Sequence, residues 1–186
     1  MVRRAPSTDK GDAMKTIQRP QPGEYADYGI VYVNEVPDGG QVLQMMQDNL
    51  TVIDDLVRSF PDERLTTPHA PGEWTIQEIL VHIIDVERVF AYRGLRFARN
   101  DQTNLPGFEH NDYVASSSAN KRIIDDILAE YRAVRMASIT LFDNLTDEAL
   151  AYVGRANNTP TTARAMAYFI AGHEQHHIHS IRENYG

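Results

Sequence analysis

The sequence predicts an all-α protein, a four-helix bundle with an extended N-terminal arm. Four long segments repeat their apolar residues at spacings of three and four, the period of a helix that buries one face. No convincing sheet pattern, internal repeat or glycine-rich phosphate loop accompanies them. The length of 186 residues suits one domain and is too short for two.

Composition divides the N-terminal region into two parts. Residues 1–24 are polar and proline-rich and show no apolar period, so we expect a flexible arm, followed by a single domain over residues 25–186. The domain opens with an aromatic and β-branched stretch, residues 25–33. This stretch is either a strand-like strap packed on its own bundle or part of a subunit contact, and the sequence leaves both open.

The first two helices have clear end signals. The first is predicted over about 38–60, where Pro61 stops it. The second, over about 75–98, opens with the capping box Thr75-Ile-Gln-Glu78, in which the Thr75 hydroxyl and the Glu78 carboxylate each accept a hydrogen bond from a free backbone N–H. Both segments are predicted to be amphipathic helices.

The third and fourth helices complete the predicted bundle. The third is expected from about Asn120 to Asn144, with isoleucine, leucine and tyrosine recurring on one face. The fourth begins at Thr159-Pro160, an N-cap followed by proline at the first helical position, and ends near Glu183.

Charge and composition exclude several classes of function. The formal net charge is −8 and the basic residues are scattered among Asp and Glu, so we expect no nucleic-acid partner. No apolar run approaches the roughly 18 residues of a membrane-spanning helix, so we expect no membrane partner and a cytoplasmic protein. The chain has no cysteine, so a metal ion would be held by His, Asp or Glu.

Four histidines lie within seven positions of the fourth helix. His173 and His177 are four residues apart and therefore share a face, offset by roughly 40° of rotation. Two imidazoles in this arrangement can bind one metal ion. His176 and His179 point to other sides of the helix and are expected to be surface or supporting residues.

A third ligand must come from another helix, and His82 is the candidate. It lies in the apolar segment Ile79–Ile84, of which nearly every face must be buried. A lone histidine there is usually a hydrogen-bonded core residue, but the pair on the fourth helix makes a shared metal site the better explanation. Three histidines would leave a fourth coordination position open, as in catalytic rather than structural sites. Asp85 and Glu87 could orient a ligand or form ordinary salt bridges.

The segment His173-Glu174-Gln-His-His177 also matches the H-E-x-x-H pattern of zinc metalloproteases, in which the glutamate is the general base. Glu174 is therefore the candidate catalytic residue that would polarise a metal-bound water, and its alternative role is a solvated carboxylate. The nine residues after His177 leave little room for a downstream third ligand, so a protease is the less favoured alternative. A di-iron site would need a second Glu-x-x-His motif, for which no convincing partner is found.

The rim of a substrate pocket is predicted from the second helix and the loop after it. Tyr92, Arg93, Arg96 and the loop 100–118 are the candidates. The alternative for Arg93 is a pair with a nearby carboxylate. Trp74 precedes the capping box and is expected to act as a hydrophobic staple rather than as a substrate platform.

An ordered set of segments resembles the DinB-like (DinB/YfiT) superfamily of metal-binding four-helix proteins. These segments are Arg19–Tyr25 (RPQPGEY), Ala70–His82 (APGEWTIQEILVH), Asp85–Arg93 (DVERVFAYR), Leu105–Phe108 (LPGF) and Ala171–His177 (AGHEQHH). The resemblance covers the chain from about residue 19 to its end. The ligand positions of the family match His82, His173 and His177 without a departure.

The resemblance implies fold and metal site more strongly than reaction. Characterised members include S-transferases and isomerases that use low-molecular-weight thiols, and others are named only as metal-dependent hydrolases. The expected function is a three-histidine divalent metal protein, with zinc or nickel first and iron or copper also compatible. It would be a thiol S-transferase or hydrolase acting on a small-molecule substrate, with a thiol as candidate co-substrate. The alternative is a non-catalytic metal-binding or ligand-binding bundle. Similar proteins are often dimeric, so we also expect a homodimer.

Overall fold

Four long helices form the bundle in residues 13–186, the part of the chain that the structure, a computed structural model, describes. They are α2 (Val42–Arg58), α4 (Ile76–Ala98), α6 (Ile124–Asp143) and α8 (Ala163–Tyr185). Helix α4 packs against α6 and α8, and α2 closes the other side against the same two helices. The predicted all-α, four-helix architecture is confirmed, and each long helix lies within a few residues of its predicted bounds.

Short helices connect these four. They are two 3-10 helices, Asp27–Gly29 and Ala119–Lys121, and the α-helices α1 (Ile30–Glu35), α3 (Asp62–Leu65), α5 (His110–Ser116) and α7 (Asp147–Ala151). Within the described chain, no helix is long and apolar enough to cross a membrane.

Residues 27–33 are helical rather than strand-like, which corrects one of the two alternatives for the stretch 25–33. Helix α1 lies directly on α8, and Gly172 permits this close approach, because a Cβ atom there would lie 1.9 Å from the Tyr32 carbonyl oxygen. Val33 is fully buried, whereas Tyr28 and Val31 are more than half exposed. The segment thus packs on its own bundle with one face, and the homodimer stays a prediction.

A three-stranded sheet, absent from the sequence prediction, covers one end of the bundle. Its strands are β1 (Asn104–Leu105), β2 (Val153–Ala156) and β3 (Thr159–Thr162), in that order, with β1 parallel to β2 and β2 antiparallel to β3. Asn157 and Asn158 connect β2 to β3 with φ angles of 50° and 62°. Two consecutive positive φ values characterise the tight hairpin turn that matches strand twist, and asparagine tolerates them better than most residues.

The predicted start of the fourth helix at Thr159-Pro160 is therefore wrong. Pro160 pairs with Arg155 inside the hairpin, and the helix begins three residues later, after the N-cap Thr162. The Thr162 hydroxyl accepts a hydrogen bond from the backbone N–H of Ala165 at 3.3 Å. A run of β-branched threonines next to a turn favours a strand, and it outweighed the proline signal.

The predicted flexible arm is also corrected for residues 13–24, while residues 1–12 lie outside the described part. Ile17 is 1% exposed, and its backbone N–H donates to the Gly40 carbonyl at 2.9 Å. The Tyr168 hydroxyl donates to the Ile17 carbonyl at 2.8 Å, and Arg19 donates to the Val36 carbonyl at 2.9 Å. This part of the arm is held on the bundle by burial and hydrogen bonds.

Two apolar clusters make up the core, one on each side of the middle of α8. Phe169 and Ile170 belong to the cluster near the sheet, and Ile178 and Ile181 to the cluster near the end of the helix. Between them, residues 173–177 bring histidine and glutamate side chains into the bundle. The polar site therefore lies at the junction of the two clusters.

Candidate metal centre

Three imidazoles from two helices meet inside the bundle. His82 comes from α4, and His173 and His177 come from α8, one turn apart. The Nε2 atom of His173 lies 3.0 Å from that of His82 and 3.1 Å from that of His177. The ligand nitrogens of all three lie within 4.8 Å of one another. The structure thus brings together the three residues that the sequence predicted as ligands.

The donor set fits a divalent ion. Around tetrahedral zinc, with Zn–N distances of about 2.0–2.1 Å, ligand nitrogens are about 3.3 Å apart, close to the two separations measured from the His173 Nε2 atom. Burial is the main cause that lowers the pKa of His82 to about 4 and that of His177 to about 3, and the neighbouring imidazoles contribute the rest. Burial also holds the pKa of His173 well below its ordinary value, with His177 adding to the effect. The three rings are therefore neutral at pH 7, the form that ligates metals.

Aromatic rings pack against the converging imidazoles. The Trp74 ring lies 4.8 Å from the His82 ring between centroids, and the Tyr32 ring lies 5.5 Å from that of His173. Phe90, on α4, packs edge-on against His173 at 6.2 Å. Ring packing of this kind restricts side-chain rotation and keeps the three nitrogens converged.

An open pocket of about 370 Å³ adjoins the three imidazoles. Its apolar wall is largely aromatic and is built from Tyr28, Tyr32, Trp74, Phe90 and Phe108. A pocket of this size lies within the range that small organic ligands occupy. The imidazole nitrogens are thus accessible to a small molecule, unlike those of a closed structural site.

The comparison with known families decides the assignment of the chain. The family model of the DinB superfamily matches residues 45–181, which include all three converging histidines. The chain belongs to the DinB superfamily.

Two individual proteins are similar to this chain over most of its length. A protein of Oceanobacillus iheyensis named "Putative metal-dependent hydrolase OB0413" is 23% identical over 150 residues, covering 79% of this chain and 85% of its own length. The solved structure of YfiT from Bacillus subtilis superposes with a TM-score of 0.68 at 18% identity, covering 77% of this chain and 83% of YfiT. YfiT is described as "a probable metal-dependent hydrolase with an unusual four-helix bundle topology". At that identity the superposition shows the shared fold alone.

Glu174, the candidate general base, does not face the pocket of this DinB superfamily member. Its carboxylate is fully buried on another face of α8, outside the pocket lining, where it accepts hydrogen bonds from Asn49 at 2.7 Å, from the Tyr131 hydroxyl and from Arg135 at 2.7 and 2.8 Å. Every one of these donors is itself buried. The geometry therefore gives no support to Glu174 as the catalytic base or to the H-E-x-x-H protease reading.

The predicted rim residues fall into two groups, those that line the pocket and those that form an ion pair outside it. Arg93 and Phe108 line the pocket, as expected. Arg96 pairs instead with Asp101 and contacts the Tyr92 hydroxyl, outside the pocket lining. On the other side of the site, Trp74 does line the pocket, so its role extends beyond that of a staple.

The remaining predicted histidines and carboxylates differ in whether they line the pocket. His176 lines the pocket, whereas His179 lies outside it, 3.3 Å from Glu35. Asp85 lies 3.6 Å from Arg88, and Glu87 bonds to the buried Arg135 network, so both form salt bridges and not metal-ligand contacts.

The pocket also contains two polar residues that the sequence analysis did not single out, His110, which lies within the predicted rim loop, and Asn157, which lies outside it. The His110 ring lies 5.7 Å from that of His82 and 5.9 Å from that of Trp74. A histidine inside the predicted rim loop was the available signal for His110. Asn157 reaches the pocket because it lies in the hairpin turn. Its backbone N–H donates to the Leu105 carbonyl at 2.9 Å. No local pattern marks it.

Proposed function

We propose that this protein is a metal-dependent enzyme that acts on a small molecule, with hydrolysis as the first candidate reaction. His82, His173 and His177 would hold one divalent ion. The observation that carries the proposal is the convergence of three neutral Nε2 atoms at the wall of an open pocket. The hydrolase name of the Oceanobacillus relative supports the choice of reaction.

Zinc and nickel are the proposed ions, and iron or copper would also suit three imidazoles. When bound, such an ion lowers the pKa of a coordinated water or thiol so that a nucleophile exists at neutral pH. The chain itself supplies neutral ligands, a largely aromatic wall and a limited volume. These features would orient a small substrate beside the ion.

The pocket offers imidazoles, and not carboxylates, for moving protons. No Asp or Glu lines it among the described residues. His110 and His176 both line it, and a histidine is the side chain that most often acts as general acid or base near pH 7. We therefore assign proton transfer to one of these two histidines, in place of Glu174.

Thiol S-transfer is the second candidate reaction, and the lack of a carboxylate in the described pocket lining favours it. A thiol with an ordinary pKa of about 8.5 needs far less help from a base than water, with a pKa of 15.7. A pocket whose described lining has no carboxylate suits such a nucleophile. Because the chain has no cysteine, the thiol would be a low-molecular-weight co-substrate.

The test is metal stoichiometry in matched histidine variants, measured by elemental analysis of protein purified without a histidine tag. His82→Ala and His177→Ala should reduce metal affinity by more than the 10–100-fold that loss of a supporting residue causes. His179→Ala, on the same helix but outside the pocket, should retain one ion per chain. Full occupancy in the His82 variant would overturn the three-histidine site.

An activity screen on the metal-loaded protein then separates the two reactions. Esters and amides test hydrolysis, and a thiol combined with an electrophile tests transfer. Turnover that is lost on chelation and restored by zinc or nickel supports the proposal. Turnover that is unchanged in His177→Ala would contradict it.

A further inference from the structure

Two arginines are buried in residues 13–186, and they differ in their partners. Arg135 pairs with two carboxylates, Glu87 and Glu174. Arg93 is 9% exposed and pairs with no carboxylate of the described chain; its Nη2 atom donates to the Pro106 carbonyl at 2.9 Å, and its guanidinium lies 5.7 Å from the centre of the Phe108 ring. Burying a cation without a counter-ion is costly, so its persistence calls for an explanation.

The free donors of Arg93 face the pocket. Every buried side-chain nitrogen or oxygen in the described residues has a hydrogen-bond partner, and the bond to Pro106 is the one hydrogen bond that Arg93 makes there. Its remaining N–H groups are therefore reachable from open space, and Arg93 lines the pocket of the metal centre. Burial lowers the pKa of Arg93, with Tyr28 acting in the opposite direction, so the local environment lacks a compensating negative charge.

Helix geometry places Arg93 at the far end of the same pocket. Arg93 follows His82 by eleven residues on α4, which returns the side chain to nearly the same face, about 16 Å further along the axis. Helical side chains lean toward the N-terminus, which brings the guanidinium back toward the imidazoles. Phe90 lies between them on the pocket wall.

The loop that carries Pro106 is fixed, so the position of Arg93 is defined. Strand β1 ends at Leu105 and pairs with β2. The Asn104 amide donates to the side-chain oxygen of Asn158 at 2.8 Å, and the Asn158 backbone N–H donates back to Asn104 at 3.1 Å. The hairpin thus holds the Pro106 carbonyl in place as the partner of Arg93.

The charge of the pocket favours an anion. The chain as a whole carries −8, yet the described pocket lining contains one arginine and no acidic residue. A cleft lined by one sign of charge concentrates ligands of the opposite sign. One guanidinium matches a single negative charge, and its parallel N–H groups match the two oxygens of a carboxylate.

We propose that Arg93 binds a carboxylate and that the substrate is a small, largely apolar carboxylate whose reacting group lies at the His82 end of the pocket. The aromatic wall contacts the body of this molecule between its two ends. This assignment rests on the proposed function for the reacting group, but the carboxylate-binding role of Arg93 does not depend on a bound metal.

The test uses fluorescence of Trp74, the one tryptophan of the chain, which lines this pocket. Phenylacetate, phenylpropionate and phenylbutyrate are titrated against their neutral primary amides, with the full chain both zinc-loaded and metal-free. The metal-free wild type should bind the best carboxylate at least about tenfold more tightly than its amide, the range expected for a hydrogen-bonded charge. Arg93→Met should abolish this preference and Arg93→Lys should keep part of it.

The matched control is Arg96→Met, on the same helix, whose arginine pairs with Asp101 outside the pocket lining and whose loss should leave the preference unchanged. Arg93→Met should retain one metal ion per chain, so failure of the metal site and failure of this proposal give different results. A wild-type protein with no carboxylate preference in the metal-free state overturns the proposal, even if Arg93→Met does not fold. So does a preference that persists in Arg93→Met.

Discussion

Neighbouring residues of α8 lead into two buried polar clusters of opposite character. His173 enters the imidazole cluster, and Glu174, rotated by about 100° on the helix, enters an ion-pair network. Both side chains are buried, His173 against α1 and α4 and Glu174 against α2 and α6. The comparison shows how to distinguish a polar cluster that supports the fold from one that is prepared for a ligand.

The network around Arg135 is closed. Arg135 is fully buried and donates to Glu87 at 2.8 and 3.1 Å, to Glu174 at 2.7 and 2.8 Å, and to the Met46 carbonyl at 3.2 Å. All three of its nitrogens have acceptors inside the protein. A buried charge group of this kind is stable only when every member has a partner, and this network has no free group for a ligand.

The imidazole cluster is open. The Nε2 atom of His173 faces the Nε2 atoms of both His82 and His177, and one proton on His173 cannot serve two such neighbours. No carboxylate of the described chain stabilises a charged form of these rings. A metal ion requires converging lone pairs at the wall of a pocket. The lack of enough hydrogen-bond donors within this cluster therefore points to a metal ion as its partner.

The largest effect should follow from breaking the closed network. Arg135→Met leaves two buried carboxylates without their counter-ion and should lower the free energy of unfolding by about 3–5 kcal/mol. The melting temperature should fall by roughly 6–20 °C, measured by calorimetry on the metal-free protein. Arg132→Met, on the same helix, removes a half-exposed ion pair with Asp54 and should cost less than about 1 kcal/mol. Equal losses in the two variants would contradict a closed, fold-supporting network.

Acid should destabilise the open cluster specifically. The pKa of His82 is about 4 and that of His177 about 3 in the folded protein, against about 6.5 when unfolded, so the unfolded chain binds protons more tightly. Stability is then fully present above about pH 6.5 and is lost as the pH falls toward 4. Between pH 7 and 5 the metal-free protein should lose on the order of 3 kcal/mol, measured by urea unfolding.

The controls for this pH dependence are two glutamine variants of α8. His177→Gln should flatten the slope of stability against pH, because one buried titrating group is gone. His179→Gln removes a histidine from the exposed face and should keep the wild-type slope. A wild-type slope in both variants would mean that the imidazole cluster is not the origin of the acid sensitivity.

A smaller loss of stability should show that Glu174 belongs to the ion-pair network and not to the imidazole cluster. Glu174→Gln keeps the shape of the side chain but weakens its bonds to Arg135, so a loss of about 1–3 kcal/mol in unfolding free energy is expected. Metal stoichiometry should stay at the wild-type value. A catalytic base would behave differently, with turnover falling by about 10²–10⁴-fold and little change in stability. Glu183→Gln, on the exposed part of the same helix, is the control for stability.

Local patterns were sufficient for the long helices and for the convergence of the three candidate ligands. The capping box formed as predicted, with the Thr75 hydroxyl accepting from the Glu78 backbone at 3.1 Å and the Glu78 carboxylate accepting from the Thr75 backbone at 2.8 Å. The spacing of His173 and His177 placed both on one helix face, because helix geometry depends on neighbours three and four residues apart. The apolar surroundings of His82 required it to point inward. For these features the sequence alone determined the outcome.

Tertiary structure decided the features that depend on distant partners. The strand at Thr159–Thr162 exists because it pairs with β2, and residues 27–33 are helical on the surface of α8, where Gly172 leaves room for them. Arg135 and Glu174 are separated by 39 positions, and no local sequence pattern around either residue predicts their pairing. Arg93 faces a pocket instead of a carboxylate for the same reason. Sequence periodicity determines which face of an element is buried, but it does not determine which element covers that face. The residue across the interface then decides whether a buried charge is paired within the protein or left for a ligand.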